Sequence, residues 1–256
     1  MSKPSFSISG YCSIIETSLA AGYRVTPFSS ALSTPEPAII LRHDIDLSLP
    51  CAIEVARAEA EMGVSATYFI MMSSDYYNPF SAIGRHQVQQ IAALGHEIGL
   101  HWDSSNYPES DDAVHRQFRN ELAHLGDIVG EEIVSASQHI PTDTPLFDVE
   151  SLVENEAYSQ KFRNRFTYVS DSSMQWRETT PLDLIKLGKS IHFLSHPIWW
   201  AGDGDDQAEK LRRMFIARCD EMETTLTEFT EYLYDVLSKR DQFDANFIKK
   251  KGKMNK

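Results

Sequence analysis

The nine residues Ala38-Ile39-Ile40-Leu41-Arg42-His43-Asp44-Ile45-Asp46 constrain this chain more than any other stretch. A short apolar run follows Pro37 and leads into a charged cluster. Such a run after a turn signal reads as a buried strand of a parallel sheet covered on both faces. Side chains alternate along a strand, so Asp44 and Asp46 share one side while His43 and Ile45 take the other. Two carboxylates roughly 7 Å apart at the C-terminal end of a strand can divide two jobs. One can hold a metal while its neighbour stays free to take a proton. The same residues would also suit a solvated strand end followed by a helix cap, so the rest of the chain must decide.

Helical spacing over residues 11–25 (Tyr11, Ile14, Ile15, Leu19) predicts an opening helix ending near Gly22, and the Ser/Pro-rich stretch 26–37 reads as loop. Ser48 caps a helix running to Met62-Gly63. Ala66–Met72 is a second strand, a helix through Val88, Ile91 and Leu94 stops at Gly95, and His96–Trp102 is a third strand. A long helix over about 111–129 precedes a short strand, Ile133–His139, cut off by Pro141. Residues 142–165 read as irregular, and 167–171 and 191–196 as two further strands. A closing helix from about Asp206 to Lys239 carries Leu211, Phe215, Cys219, Met222, Leu226, Phe229, Leu233 and Val236 as a stripe expected to face the core. Strands alternating with helices predict a parallel α/β sheet or barrel with its chemistry at the C-terminal strand ends.

Those ends are where polar groups fall. Strand one ends in Asp44 and Asp46, strand three in His101 and then Asp103, strand four in His139, the fifth in Asp171 and the last in His196. In a parallel sheet these ends converge. Neutral imidazole with carboxylate is the ligand set of a divalent site that keeps a position open for water, which points to metal-dependent hydrolysis.

Composition narrows the setting. At 256 residues and 42% hydrophobic, the chain is long enough for one barrel-sized domain or for two smaller ones; a single domain over 1–256 is expected, with a helix and loop over 1–36 and a disordered basic tail over 244–256. A net charge of -13 argues against nucleic acid or an anionic membrane as partner. No apolar run approaches the roughly 20 residues of a membrane helix, so no membrane insertion is expected. Cys12, Cys51 and Cys219 are scattered and lack CxxC spacing, and Met1–Gly10 lacks the pattern of a secretory signal; both features predict a cytoplasmic protein.

Two motifs are set aside. His96-Glu97-Ile98-Gly99-Leu100-His101 is not HExxH: its histidines are five apart on a strand and point to opposite sides, so His96 is structural. Gly202-Asp203-Gly204-Asp205-Asp206 lacks the glutamate of a calcium loop and reads as a loop ending in helix caps.

Leu41-Arg42-His43-Asp44-Ile45-Asp46 resembles the first motif of NodB-type polysaccharide deacetylases (carbohydrate esterase family 4). Gly95-His96-Glu97-Ile98-Gly99-Leu100-His101-Trp102 is similar to the second motif of that family, and Leu194-Ser195-His196-Pro197 to its last. Asp171 and Trp176 stand where the family places an Asp and a Trp near that histidine. The resemblance spans residues 38–200 and implies a distorted (β/α) barrel of about six or seven strands that hydrolyses an N-acetyl group on a sugar or glycan. Two departures stand out. The second ligand histidine of motif two is replaced by Ser105, and the arginine of motif three is absent, with Gln138-His139-Ile140-Pro141 in its neighbourhood.

The resemblance therefore implies Asp46, His101 and His139 around Zn²⁺ or a similar ion, with Asp103 as the alternative third ligand. Asp44 would act as base, although the His-Asp-x-Asp spacing permits the opposite assignment of the two aspartates. His196, oriented by Asp171, would be the general acid, and Trp102, Trp176 and Trp199 would line a sugar site. His139 has a second possible role, hydrogen-bonding Asp44 in place of the missing arginine. A catalytically inactive barrel that binds carbohydrate through its aromatic residues, Tyr107 and Trp200 included, is the alternative function. A cytoplasmic sugar nucleotide or lipid-linked precursor fits the expected compartment better than cell-wall glycan.

Overall fold

The computed structural model describes residues 4–141 and 148–254, with backbone alone from 241 onward. One compact unit ends at Lys210 and a second begins at Leu211. The first unit holds an eight-stranded sheet in which every pairing is parallel.

In chain order its elements are α1 (Ile8–Ala20), β1 (Arg24–Thr26), α2 (Phe28–Ala31), β2 (Ala38–Ile45), α3 (Leu49–Glu61), β3 (Thr67–Ile70), α4 (Ala82–Ala93), β4 (Glu97–Trp102) and α5 (Asp111–Val129). They continue with β5 (Ser135–Gln138), β6 (Asn155–Glu156), α6 (Gln160–Arg163), β7 (Thr167–Ser170), α7 (Pro181–Lys186), β8 (Ile191–Ser195) and α8 (Pro197–Ala201). The strands lie in the order β6-β5-β4-β3-β2-β8-β7, a curled, incompletely closed (β/α) barrel in which β2 is an interior strand that also pairs with β1. Helix starts follow the expected chemistry: Ser48 accepts the Cys51 amide at the start of α3, and Ser81 accepts the Gly84 amide at the start of α4.

Every residue of β2 is buried, as a central parallel strand requires. Its register fixes what each side carries. Arg42 pairs with Thr67 and Asp44 with Phe69, while Thr67 pairs with Glu97 and Phe69 with Gly99. Ile40, Phe69, Phe28, Phe162 and Phe166 close the barrel interior as one apolar cluster. His43, on the opposite face of β2, joins a buried polar group behind the sheet. There Glu59 accepts from His43 Nε2 (2.7 Å), the Tyr68 hydroxyl (2.6 Å) and the Tyr11 hydroxyl. His96 also lies on that side, bonded to the backbone of Ala56 and Ala66.

Several expectations need correction. The opening helix stops at Ala20, and residues 24–26 pair with the start of β2 on the side that β3 takes up only from Arg42. The stretch read as loop contains α2, and the segment read as irregular contains β6 and α6; its residues 142–147 lie outside the described residues. The largest correction concerns the last helix, α9 (Gln207–Met254), which is 48 residues long. Within the second unit the stripe has no core to face. Phe215 (61% exposed), Met222, Leu226 (64%), Phe229, Leu233 and Val236 all lie open. Heptad-like spacing shows that a face is destined for burial without showing what will cover it.

Candidate metal and catalytic site

Three strand ends bring the candidate ligands together. Asp46 follows β2, His101 lies near the end of β4 paired with Ser137, and the His139 amide donates to the Trp102 carbonyl (2.8 Å), extending the ladder past β5. His101 Nδ1 donates to the Ser137 carbonyl at 3.0 Å, which leaves Nε2 as a bare lone pair. That nitrogen is 3.1 Å from Asp46 Oδ1 and 3.2 Å from His139 Nδ1. His139 Nδ1 in turn lies 3.6 Å from Asp46 Oδ1. The three ligand atoms all fall within 4.8 Å of one another.

This geometry fits a divalent cation. Asp46 Oδ1 is buried without a hydrogen-bond partner, and a buried acceptor left unpaired is costly. The bare His101 nitrogen points at the same spot, held there by a backbone carbonyl as metal-binding histidines usually are. Asp103 is spent elsewhere: its carboxylate accepts from the Ser105 amide (2.9 Å) and the Asn106 side chain (3.2 Å). It is not part of the cluster.

Asp44 lies beside the ligands, its Oδ2 3.6 Å from His101 Nε2. Arg42, two residues back on the same strand face, grips both its oxygens, Nε to Oδ1 and Nη2 to Oδ2, each at 2.7 Å. The guanidinium is fully buried, bonds the Ser137 and Tyr158 hydroxyls, and stacks over the Tyr158 ring (4.7 Å to its centroid). Burial would raise the Asp44 carboxyl, yet Arg42 keeps it below its ordinary value. A guanidinium on Asp44 also removes the need for His139 in that position. Alternation places Arg42 there, so the residue was findable by counting back two from Asp44; the sequence reading passed over it, and over Ser137 and Tyr158.

Across the site, His196 follows β8 and begins α8. Its Nδ1 donates to Asp171 Oδ1 at 2.6 Å, and its Nε2 faces Asp46 Oδ2 at 3.9 Å. Asp171 is wholly buried and also accepts from the His196 amide and from Trp200 Nε1 (2.6 Å). Burial works against a charged His196, but the Asp171 carboxylate outweighs it and pushes the imidazole up to about 9.

The tryptophans expected at a sugar site are largely covered. Trp102 packs against Tyr107 and Phe118 on the helix side of β4, as it must when its neighbour His101 points into the barrel. Trp176 packs on Phe6 and Trp200, and Trp199 is buried with its indole N–H unpartnered. An exposed platform of stacked tryptophans is not what these side chains form.

No protein-family model matches the sequence, and no curated protein matches it either. Solved structures do. The Xyl-CE4 domain of a multidomain xylanase from the hindgut metagenome of Trinervitermes trinervoides is 14% identical over 72% of this chain and 83% of that one, with a TM-score of 0.43. The Streptococcus pyogenes deacetylase PplD in complex with acetate is 11% identical over 70% and 85%, with a TM-score of 0.45. BA3943, a CE4 family pseudoenzyme from Bacillus anthracis, is 12% identical over 72% and 60%, with a TM-score of 0.41.

Proposed function

We propose that this protein is a metal-dependent hydrolase that removes an N-acetyl or similar acyl group from a sugar or polysaccharide precursor. One observation carries the reading: Asp46, His101 and His139, from three strand ends, present ligand atoms within 4.8 Å of one another beside a buried Asp44. Two imidazoles and a carboxylate are a donor set suited to Zn²⁺ with a position left open. The ion would supply Lewis acidity that polarises an amide carbonyl and acidifies water.

The side chains of the chain supply the rest. Asp44, ionised and fixed by Arg42, would accept the proton of the attacking water. His196 Nε2, with Nδ1 committed to Asp171, would protonate the leaving amine nitrogen, so that amide and water yield a carboxylic acid and a free amine. The three unpaired cysteines support a cytoplasmic setting, and with it a sugar nucleotide or lipid-linked substrate.

The test is acetate release from a panel of N-acetylated sugars, sugar nucleotides and short glycans by zinc-loaded protein. Turnover that is lost in Asp44→Asn, with metal retained, supports the proposal. Stoichiometric metal binding without turnover on any acylated sugar would favour the inactive carbohydrate-binding barrel.

A further inference from the structure

We propose that α9 pairs with α9 of a second copy of this chain in a parallel, in-register two-stranded coiled coil. With Cys219 at position a, the open residues Phe215, Met222, Leu226, Phe229, Leu233 and Val236 fall on successive a and d positions of a heptad. Seven consecutive a/d sites are therefore occupied by cysteine or a large apolar side chain. A sustained 3.5-residue apolar repeat is the pattern of a helix that packs on another helix, and an exposed stripe of this length is rare on a monomer.

Charge selects the occupant. Between 219 and 237 the charged residues are Asp220, Glu221, Glu223, Glu228, Glu231 and Asp235, all acidic. Five of them take b, c or f positions, away from the seam. The sixth, Glu223, is at e, where a parallel partner presents its g residue from five positions earlier, Arg218. The remaining g/e′ pairs are Thr225 with Thr230 and Tyr232 with Leu237, so no like charges meet. An antiparallel partner centred on the same stripe would instead set g against g and leave Arg218 without Glu223. An anionic lipid surface would meet a polar face with no cation over this stretch, the reverse of what membrane-surface helices carry.

The register makes a covalent prediction. In a parallel in-register pair the two Cys219 side chains share one a layer, close enough to bridge. Treating the full-length protein with diamide should oxidise two thiols to one disulfide, their two electrons and two protons reducing diamide to its hydrazine. The expected result is sedimentation at twice the 29.0 kDa chain mass. A disulfide-linked dimer should also appear on non-reducing gels and be absent in Cys219→Ser. Leu226→Glu with Phe229→Glu should sediment as a monomer. A wild-type monomer at tens of micromolar overturns the proposal. So does a dimer that diamide cannot link through Cys219, because that excludes the parallel register whatever the double variant does.

Discussion

At the scale of single residues, the site rests on hydrogen bonds that fix the orientation of each group. Arg42 occupies both oxygens of Asp44 from within the barrel. Removing it in Arg42→Met would strand a buried carboxylate, and such a loss typically costs about 3–5 kcal/mol. Chemical denaturation should show that drop together with loss of turnover; a variant as stable as wild type would mean that Asp44 does not depend on Arg42. The roles proposed for the two aspartates can be separated by substitution. Asp44→Asn should abolish turnover and keep the metal, whereas Asp46→Asn should lose it, and the reverse pattern would exchange base and ligand. His196 gives a pH signature. Its pKa is raised to about 9, so the protonated acid, and the stability of its pair with Asp171, are fully present below the ordinary histidine range and lost as pH climbs through 9. In Asp171→Asn the alkaline limb of kcat/KM should move down by a unit or more. A limb that stays in place would assign it to another group.

At the scale of elements, what the sequence made legible was periodicity. The alternation along β2 put Asp44 and Asp46 on one side, and the same rule separated His101 from His96. Applied to Trp102, it would have excluded that residue from the mouth, and applied to Arg42 it would have found the partner of Asp44. The missed strands were too short and polar to register: β1 has three residues, and β6 is only Asn155 and Glu156. Strand β4 offers an element-level test. A Cβ at Gly99 would lie 2.5 Å from the Phe69 ring and 3.0 Å from the Ser135 carbonyl oxygen. Phe69 lies beneath the Arg42 guanidinium, 5.3 Å from ring centroid to charge, so the ring has little room to move aside. Gly99→Ala should destabilise by about 1–3 kcal/mol, the usual cost of overpacking. An unchanged denaturation midpoint would show that the barrel interior is looser than this packing implies.

At the scale of the whole molecule, the fold's contribution is convergence: residues at positions 44, 46, 101, 139, 171 and 196 meet because the strands that carry them are parallel. The sequence could place each at a strand end, but could not show that Asp103 would be consumed by the Ser105 turn, or that α9 would leave its apolar stripe open. Metal binding should therefore act on the entire fold. An ion held at a thousand times its dissociation constant adds about 4 kcal/mol by mass action, and chelation should lower Tm by several degrees. On the proposed reading, Asp46, His101 and His139 hold that ion. Calorimetric titration of Zn²⁺ into metal-free protein tests it most directly. One ion should bind per chain, and His139→Ala should lose affinity on the order of 100-fold or more, larger than the loss typical of a group outside the ligand set. Unchanged affinity in that variant, or no binding by the wild type, would contradict it.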